Sequence, residues 1–286
     1  MSTRAQLRQM LKEGTVVAPF VFDAFTAKIA QSIGFRALYM TGNGTAARLG
    51  MTDVGLATLT EMVENLRSIC AAVDLPVIAD ADTGYGNPIN VTRTVREYER
   101  AGAAALHLED QVFPKKCGFF EGKQVVPLEE HVQKIRAALD ARQDPDFVII
   151  ARTDALAVHG WDETVRRAEA YYEAGADLVF VDGIKTLEDL DVYTDALVRR
   201  GVPCLYNGGL VSTQEAAARG FKIQITGGGH GIAYLAVRDA LRELKRTGKG
   251  PHLSLRADDF ANITDLLGLP KIYEMERRYQ VMPQST

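Results

Sequence analysis

Eight short apolar runs recur along the chain and are separated by longer stretches with helical spacing. Each run is continuous, without the polar alternation of a half-exposed strand, which is typical of strands buried on both faces of a parallel sheet. The runs occupy residues 16–22, 37–40, 76–79, 105–108, 147–151, 178–181, 203–205 and 222–225. Because eight buried strands that alternate with helices characterise a (β/α)8 barrel, the sequence predicts an α/β TIM barrel.

A doubly wound open sheet is the alternative fold. Such a sheet commonly carries a glycine-rich fingerprint at its first strand–helix turn, whereas this chain has Phe22-Asp-Ala-Phe25 there. No proline- or serine-rich linker divides the 286 residues, and a barrel of about 250 residues accounts for most of them. We therefore expect one barrel domain over residues 1–286, with residues 258–286 forming a helical C-terminal extension.

The composition of the chain excludes several classes of protein. Lys and Arg total 33 against 37 Asp and Glu, so the chain has no basic field that would gather nucleic acid. No apolar stretch reaches the roughly 18 residues of a membrane span. Three well-separated cysteines and a charged N-terminal segment argue against a disulfide scaffold and a signal peptide. We expect a cytoplasmic enzyme that acts on a small molecule and binds neither nucleic acid nor membrane.

Acidic residues lie where successive predicted strands end, and the reactive residues of a barrel gather at this edge. Asp80 and Asp82 are two residues apart and therefore point to the same side of their strand. Together with Glu109 they form an all-oxygen set suited to Mg²⁺, with Mn²⁺ as a substitute. The alternative is that these carboxylates only cap the helices that follow.

A longer loop, residues 112–123, follows the fourth predicted strand. Lys115 and Lys116 precede Cys117, and neighbouring positive charge favours the reactive thiolate. Gly118 and Gly122 permit backbone movement, so we expect a lid that closes over the site. A solvated charged loop with an incidental cysteine is the alternative.

Four short motifs follow one another at the predicted strand ends and in this loop. They are Asp80-Ala-Asp-Thr-Gly-Tyr-Gly86, Leu108-Glu-Asp-Gln111, Lys115-Lys-Cys-Gly118 and Ala151-Arg-Thr-Asp-Ala155. In this order and spacing they resemble the isocitrate lyase/phosphoenolpyruvate mutase superfamily, and the similarity extends over residues 20–207. The resemblance implies a (β/α)8 barrel that uses Mg²⁺ to act on 2-oxo or 2-hydroxy acids. It also implies a homotetramer, a dimer of dimers whose paired subunits exchange their last barrel helix.

The resemblance assigns metal and acid/base roles to residues at matching positions. Asp82 corresponds to the direct Mg²⁺ ligand, and Asp80 and Glu109 correspond to carboxylates that hold its waters. Lys115 and Cys117 correspond to the lid pair of the lyases, in which the cysteine is the acid/base.

Other residues at matching positions surround the substrate. Arg152 corresponds to the arginine that grips the substrate carboxylate, and Asp53 corresponds to a loop aspartate near the site. The segment that holds the carboxylate of the 2-oxo acid corresponds to Tyr39, Thr41, Gly42 and Asn43. The lid glycine and the late strand ends supply the remaining substrate-binding candidates, Gly118, Asp182, Asn207 and His230.

Departures from the superfamily pattern indicate the class of substrate. Phe119 and Phe120 stand where several lyases have a histidine, and Asp182 replaces a longer glutamate. Asn207 is followed by glycines in place of a polar cluster. A third carboxylate, as in isocitrate or 2-methylisocitrate, would lack partners here, so we expect a smaller and more apolar acid such as a methylated malate. His230 resembles a residue of the oxaloacetate decarboxylase branch that lies near the substrate. The alternative is that His230 only begins a helix after a glycine-rich turn.

These residues favour a Mg²⁺-dependent carbon–carbon lyase. It would cleave a substituted 2-hydroxy dicarboxylic acid, such as a dimethylmalate, into a 2-oxo acid and a carboxylic acid. Cleavage leaves a carbanion, and a thiol on a closing lid can supply its proton. Three other functions stay open: an oxaloacetate decarboxylase or acetylhydrolase, a phosphoenolpyruvate mutase or phosphonopyruvate hydrolase, and a non-catalytic anion-binding barrel.

The C-terminal segment carries more apolar residues than a solvated extension needs. They recur at helical spacing from Ile263 to Tyr279, with a bend expected near Gly268-Leu-Pro270. We expect this tail to pack on a neighbouring subunit of a helix-swapped homotetramer. A tail folded on its own barrel is the alternative.

Overall fold

Eight parallel strands close into a barrel in which each strand pairs with the next along the chain and the last pairs with the first. The structure is a computed structural model, which describes residues 1–118, 120–250 and 257–279. The strands are β1 Val16–Val21, β2 Leu38–Met40, β3 Val77–Asp80, β4 Ala105–Glu109, β5 Val148–Thr153, β6 Leu178–Val181, β7 Cys204–Asn207 and β8 Ile223–Thr226. Each coincides with one of the eight apolar runs, so the predicted TIM barrel is confirmed.

Helices follow the strands and surround the barrel. Those of residues 1–230 are α1 Thr3–Glu13, α2 Ala24–Ser32, α3 Gly42–Arg48, α4 Leu59–Ala72, α5 Pro88–Ala101, α6 Leu128–Ala141, α7 Leu156–His159, α8 Trp161–Glu173, α9 Leu187–Ala196 and α10 Thr213–Arg219, with a 3₁₀ turn at Val198–Arg200. Local sequence sets their ends. Thr58 and Glu61 form a capping box at the start of α4, and Gly102 ends α5 with φ +103°.

The first helix closes the amino-terminal end of the barrel. Leu7 of α1 is fully buried in the cluster of side chains that fills the barrel interior. Arg4 donates to the carbonyl oxygen of Ala103, just before β4, and Arg8 donates to that of Phe147, just before β5. Sequence reasoning did not predict this helix. Because α1 covers one end, a ligand reaches the barrel from the carboxyl ends of the strands.

Contacts divide the chain into two compact units, residues 1–230 and 231–286. The helix α11, Gly229–Thr247, starts at the end of the first unit, and the second also contains α12, Ala257–Leu266, and α13, Leu269–Tyr279. The predicted bend is present, because Gly268 adopts φ +90° between α12 and α13. Large apolar side chains along α11 are exposed, among them Ile232, Leu235 and Leu241. No helix in the described part of the chain is long and apolar enough to cross a membrane.

A buried histidine in α6 links the stability of the barrel to pH. The ring of His131 is fully buried and packs edge-on to Tyr171, with ring centroids 4.6 Å apart. Burial, reinforced by the positive charges of Lys134 and Arg167, lowers the pKa of His131 from 6.5 to about 3. Between these two pKa values only the unfolded chain binds the proton, so stability falls as the pH drops below 6.5.

We expect His131→Phe to reduce this acid sensitivity. In the native chain, a change from pH 7 to pH 5 removes about 2 kcal/mol of unfolding free energy through His131 alone. The variant keeps the aromatic contact with Tyr171 but has no titrating ring, so its loss over the same interval should be smaller by about that amount. Urea unfolding of both proteins at the two pH values measures the difference. Equal losses would contradict the assignment.

Candidate active site

A pocket of about 100 Å³ opens at the carboxyl ends of the strands. Its lining unites most of the residues predicted from the sequence. The lining residues are Phe20, Tyr39, Thr41, Asn43, Asp53, Asp80, Lys115, Cys117, Gly118, Arg152, Asp182, Asn207 and His230. Of the other candidates, Gly42, Asp82 and Glu109 lie in or beside the strands that form the pocket floor. Sequence reasoning missed Phe20, which lies one residue before the end of β1 in a run interpreted only as core.

Arg152 is the central cation of the pocket. Its Nε lies 2.9 Å from Asp154 Oδ2, and its Nη2 lies 3.1 Å from Asp154 Oδ1, which is a bidentate pair. Glu109 and Asp182 each lie 3.2 Å from the guanidinium, and the ring of Phe180 lies 5.1 Å from its central carbon. Burial opposes the charge, but the three carboxylates outweigh it and hold the pKa of Arg152 well above its usual range.

A second buried carboxylate, Asp110, holds the partner of Arg152 in place. The backbone N–H of Asp154 donates to Asp110 Oδ1 at 2.9 Å, and the hydroxyl of Thr153 donates to Asp110 Oδ2 at 2.8 Å. Arg167 and Tyr171 of α8 also donate to Asp110. Asp154 and Asp110 stood in the motifs quoted above, beside Arg152 and Glu109, but were not among the predicted site residues.

Asp80 is held by backbone donors at the end of β3. It accepts hydrogen bonds from the N–H of Gly42 at 3.1 Å and of Asp82 at 3.0 Å. A Cβ atom on Gly42 would overlap this carboxylate, so the position requires glycine. Burial raises the pKa of Asp80, but the nearby charges, including Lys115 and Arg152, outweigh it and lower that pKa. Asp80 is therefore ionised.

The buried carboxylates of Glu109 and Asp82 have too little positive charge near them to offset the cost of burying a negative charge. Neither carboxylate oxygen of Glu109 has a hydrogen-bond partner among the described residues, and burial raises its pKa well above the usual range. Asp82 has a backbone φ of +46°, which is rare for a residue other than glycine. Burial raises its pKa to about 6, although Lys115 opposes the shift. Both carboxylates would be stabilised by a further cation.

The carboxylates of the pocket outnumber its cations. Lys115, Lys123 and Arg152 are linked by ion pairs to five carboxylates, those of Asp53, Asp82, Glu109, Asp154 and Asp182, and Asp80 lies beside them. No three His, Cys, Asp or Glu side chains within the described ranges are arranged as direct ligands of one metal ion. The excess of carboxylate oxygens is the donor chemistry that suits a divalent cation such as Mg²⁺.

Tyr39 is linked to Asp80 through a histidine that sequence reasoning missed. The hydroxyl of Tyr39 lies 2.8 Å from Nε2 of His107, and this nitrogen lies 3.7 Å from Asp80 Oδ1. Burial lowers the pKa of His107 to about 4, so its ring is neutral near pH 7. Burial, followed by the charge of Asp80, raises the pKa of Tyr39 well above its usual range. Tyr39 therefore remains a neutral phenol.

The cysteine loop, residues 112–118 and 120–123, places Cys117 against the pocket. The N–H of Cys117 donates to the carbonyl of Asp53 at 3.0 Å, and the Asn43 amide nitrogen lies 3.4 Å from Cys117 Sγ. The two lysines that precede Cys117 make ion pairs and hydrogen bonds of their own. Lys115 pairs with Asp53 and Asp82, and Lys116 donates to carbonyls of its own loop.

The distal part of the pocket contains Asp182, Asn207 and His230. The Asn207 amide nitrogen lies 3.4 Å from Asp182 Oδ1, and Nδ1 of His230 is buried without a hydrogen-bond partner in the described part of the chain. Phe120 is 40% exposed and does not line the pocket. Phe119, expected to form an apolar wall, lies outside the described residues.

Comparison with known proteins places the whole chain among enzymes. The family model for phosphoenolpyruvate phosphomutase matches residues 7–245. The 2,3-dimethylmalate lyase of Eubacterium barkeri is 44% identical over 286 residues, which cover 98% of this chain and 99% of that protein.

Solved structures agree with this placement. Oxaloacetate acetylhydrolase in complex with the inhibitor 3,3-difluorooxalacetate aligns with a TM-score of 0.90 at 36% identity, covering 98% of this chain and 97% of that one. Phosphonopyruvate hydrolase in complex with oxalate and Mg²⁺ aligns with a TM-score of 0.87 at 32% identity, covering 98% of this chain and 100% of that one.

Proposed function

This chain belongs to the isocitrate lyase/phosphoenolpyruvate mutase superfamily and is a carbon–carbon lyase of that group, and we propose that it cleaves a substituted 2-hydroxy dicarboxylic acid resembling 2,3-dimethylmalate. The observation that carries the proposal is the convergence of Arg152, the acidic set and Cys117 on one small pocket. The products would be a 2-oxo acid and a carboxylic acid, which for 2,3-dimethylmalate are pyruvate and propionate.

Arg152 binds the carboxylate next to the carbon that carries the hydroxyl. Its bidentate pair with Asp154 fixes the plane of the guanidinium, and its Nη atoms face the pocket that Glu109 and Asp182 border. Tyr39, a neutral phenol on the pocket wall, donates a second hydrogen bond to the acid. A substrate held at both positions has its C2–C3 bond oriented for cleavage.

The acidic set would hold a divalent cation, Mg²⁺ or Mn²⁺, with Asp82 as the direct ligand and Asp80 and Glu109 as supporting carboxylates. When bound, such a cation supplies a Lewis acid for the oxygen on C2. The oxygens of Glu109, which accept no hydrogen bond from the described residues, and the raised pKa values of Glu109 and Asp82 support this assignment, because both signal missing positive charge. Asp53 stays paired with Lys115, which keeps that ammonium near the acidic set.

Cys117 would supply the proton that completes the reaction. Cleavage moves the 2-hydroxyl proton to a carboxylate of the pocket and the electron pair of the C2–C3 bond to C3. The S–H proton of Cys117 then transfers to C3, and the sulfur is left as a thiolate. The amide of Asn43, 3.4 Å from Sγ, is placed to stabilise that thiolate by hydrogen bonding.

The pocket suits a small acid with an apolar substituent. Its volume is about 100 Å³, and Phe20 is its aromatic wall. A third carboxylate would meet Asp182, an acidic side chain, so it would be repelled as well as unpaired. We infer that methylated malates are preferred to 2-methylisocitrate.

Oxaloacetate hydrolysis is the second candidate. The likeness to oxaloacetate acetylhydrolase over nearly the whole chain favours it, and His230 on the pocket wall is the residue that resembled the decarboxylase branch. Both candidates break a carbon–carbon bond of a small dicarboxylate, so they share the role of Arg152.

A panel of acids distinguishes the candidates. The chain is incubated with 2,3-dimethylmalate, 2-methylisocitrate, oxaloacetate and phosphonopyruvate, and the products are identified by mass spectrometry. We expect pyruvate and propionate from 2,3-dimethylmalate, loss of turnover in EDTA, and recovery when Mg²⁺ is added in excess. Acetate and oxalate from oxaloacetate as the fastest reaction would replace the lyase by the hydrolase. Full turnover after exhaustive chelation would exclude the cation.

Cys117→Ser should slow turnover by about two to four powers of ten, because a hydroxyl is a far weaker acid than a thiol. Substrate affinity should change little, since Arg152 binds the carboxylate. Steady-state kinetics measure both quantities. Cys70 is a half-buried cysteine outside the pocket, so Cys70→Ser is the matched control and should keep native turnover. A serine variant as fast as the native enzyme would remove Cys117 as the proton donor.

We propose that the chain is a single barrel domain with a helical extension that begins at residue 258, and that it assembles as a helix-swapped homotetramer. Residues 280–286 of the predicted extension lie outside the described residues. The exposed apolar side chains of α11 and α13 support this proposal, since contiguous apolar surface of this kind is normally covered by a partner. Covering α11 between paired subunits would also account for the absence of buried side chains along this helix.

Light scattering tests the assembly. We expect a tetramer at micromolar concentration and a smaller species for Leu241→Glu, which places a charge on the apolar face of α11. Lys245→Glu changes an exposed polar position of the same helix and should leave the tetramer intact. A monodisperse monomer of the native chain would contradict both the exchange and the tetramer.

A further inference from the structure

We propose that Lys123 is a positioning residue that ties the cysteine loop to the carboxylate partner of Arg152. Lys123 ends the cysteine loop, yet its side chain is buried, with only 2% of its surface exposed. Its Nζ donates to Asp154 Oδ1 at 2.9 Å and to the carbonyl oxygen of Gly118 at 2.9 Å. One ammonium therefore joins the end of β5 to the loop segment that carries Cys117.

The contacts of Lys123 are shared with the substrate-binding arginine. Asp154 Oδ1 accepts from Lys123 and also from Arg152 Nη2 at 3.1 Å. Asp182 lies 3.6 Å from Lys123 Nζ and 3.2 Å from Arg152 Nη2. Lys123 and Arg152 thus share the same two carboxylates, those of Asp154 and Asp182. Without Lys123, Arg152 would carry the whole pairing with Asp154 and Asp182 and would be less available to a substrate carboxylate.

The packing of Gly118 shows how closely Lys123 holds the loop. A Cβ atom at Gly118 would overlap the carboxylate of Asp182, so the backbone of the loop lies directly against the distal pocket. A backbone carbonyl would normally be repelled by a carboxylate, and the ammonium of Lys123, bonded to the Gly118 carbonyl and near Asp182, offsets this repulsion. Loss of the ammonium would favour departure of residues 117–118 from the pocket.

The accessibility of Cys117 reports this loop position without any substrate. Cys117 is 7% exposed, and its reaction with N-ethylmaleimide, followed by peptide mass spectrometry, is distinguished from that of Cys70 and Cys204. In Lys123→Met, and in Lys123→Gln, which keeps a hydrogen-bond donor, we expect alkylation of Cys117 to accelerate at least about tenfold. Lys123→Arg, which keeps the charge, should restore a rate near that of the native chain.

Lys116→Met is the matched control. Lys116 lies in the same loop and is more exposed, and its ammonium donates to carbonyls of that loop, so loss of this ammonium should change the alkylation rate by less than about twofold. Circular dichroism verifies that each variant is folded. Native-like alkylation of folded Lys123→Met and Lys123→Gln would overturn the proposal. Failure of both to fold would overturn it as well, because Lys123 would then support the barrel and not the loop alone.

The kinetic part of the test rests on the proposed function, whereas the alkylation part does not. If the chain is a lyase, Lys123→Met should raise KM for the acid through Arg152 and lower kcat through Cys117, and Lys123→Arg should recover both. If the native chain turns over none of the acids in the panel, the proposed function fails while alkylation still decides the role of Lys123.

Discussion

Negative charge concentrated at the carboxyl-terminal mouth of the barrel is the constraint on which the rest of the site depends. Six carboxylates meet there with three cations, Lys115, Lys123 and Arg152. Burial makes each uncompensated charge costly, so every cation is shared between carboxylates. The carboxylates with the least compensating positive charge are those of Glu109 and Asp82. Their raised pKa values mark the place where positive charge from a ligand would be most stabilising.

The barrel supports this arrangement by leaving one end open and closing the other. Leu7 of α1 fills the amino-terminal end, and Arg4 and Arg8 attach the helix to the residues that precede β4 and β5. Parallel strands bring their carboxyl ends to the same rim, so side chains far apart in sequence line one pocket. Behind that rim, Asp110 orients Asp154, which in turn orients Arg152. A chain of hydrogen bonds and ion pairs therefore runs from the helix α8, through the buried carboxylates of Asp110 and Asp154, to Arg152 on the pocket wall.

Charge pairing also fixes the positions of the two lysines that precede Cys117. Lys115 offsets Asp53 and Asp82, and Lys116 stabilises the loop itself. The amide nitrogen of Asn43 lies 3.4 Å from the sulfur. Asp53 therefore contacts the cysteine loop twice, through its ion pair with Lys115 and through the hydrogen bond that its carbonyl accepts from the N–H of Cys117.

The sequence by itself determined the fold class, because eight continuous apolar runs that alternate with helices are typical of a parallel sheet buried on both faces, and their number favours a closed barrel over an open sheet. It also indicated most of the residues that line the mouth, since strand ends are local features and the motifs at them could be recognised, although it missed Phe20. Tertiary structure alone decided which charges pair. Lys123 and Asp154 are 31 positions apart and touch only because the loop folds back over β5, and His107 reaches Tyr39 across the barrel. Such pairings depend on the through-space energies of buried charges, and no spacing along the chain encodes them.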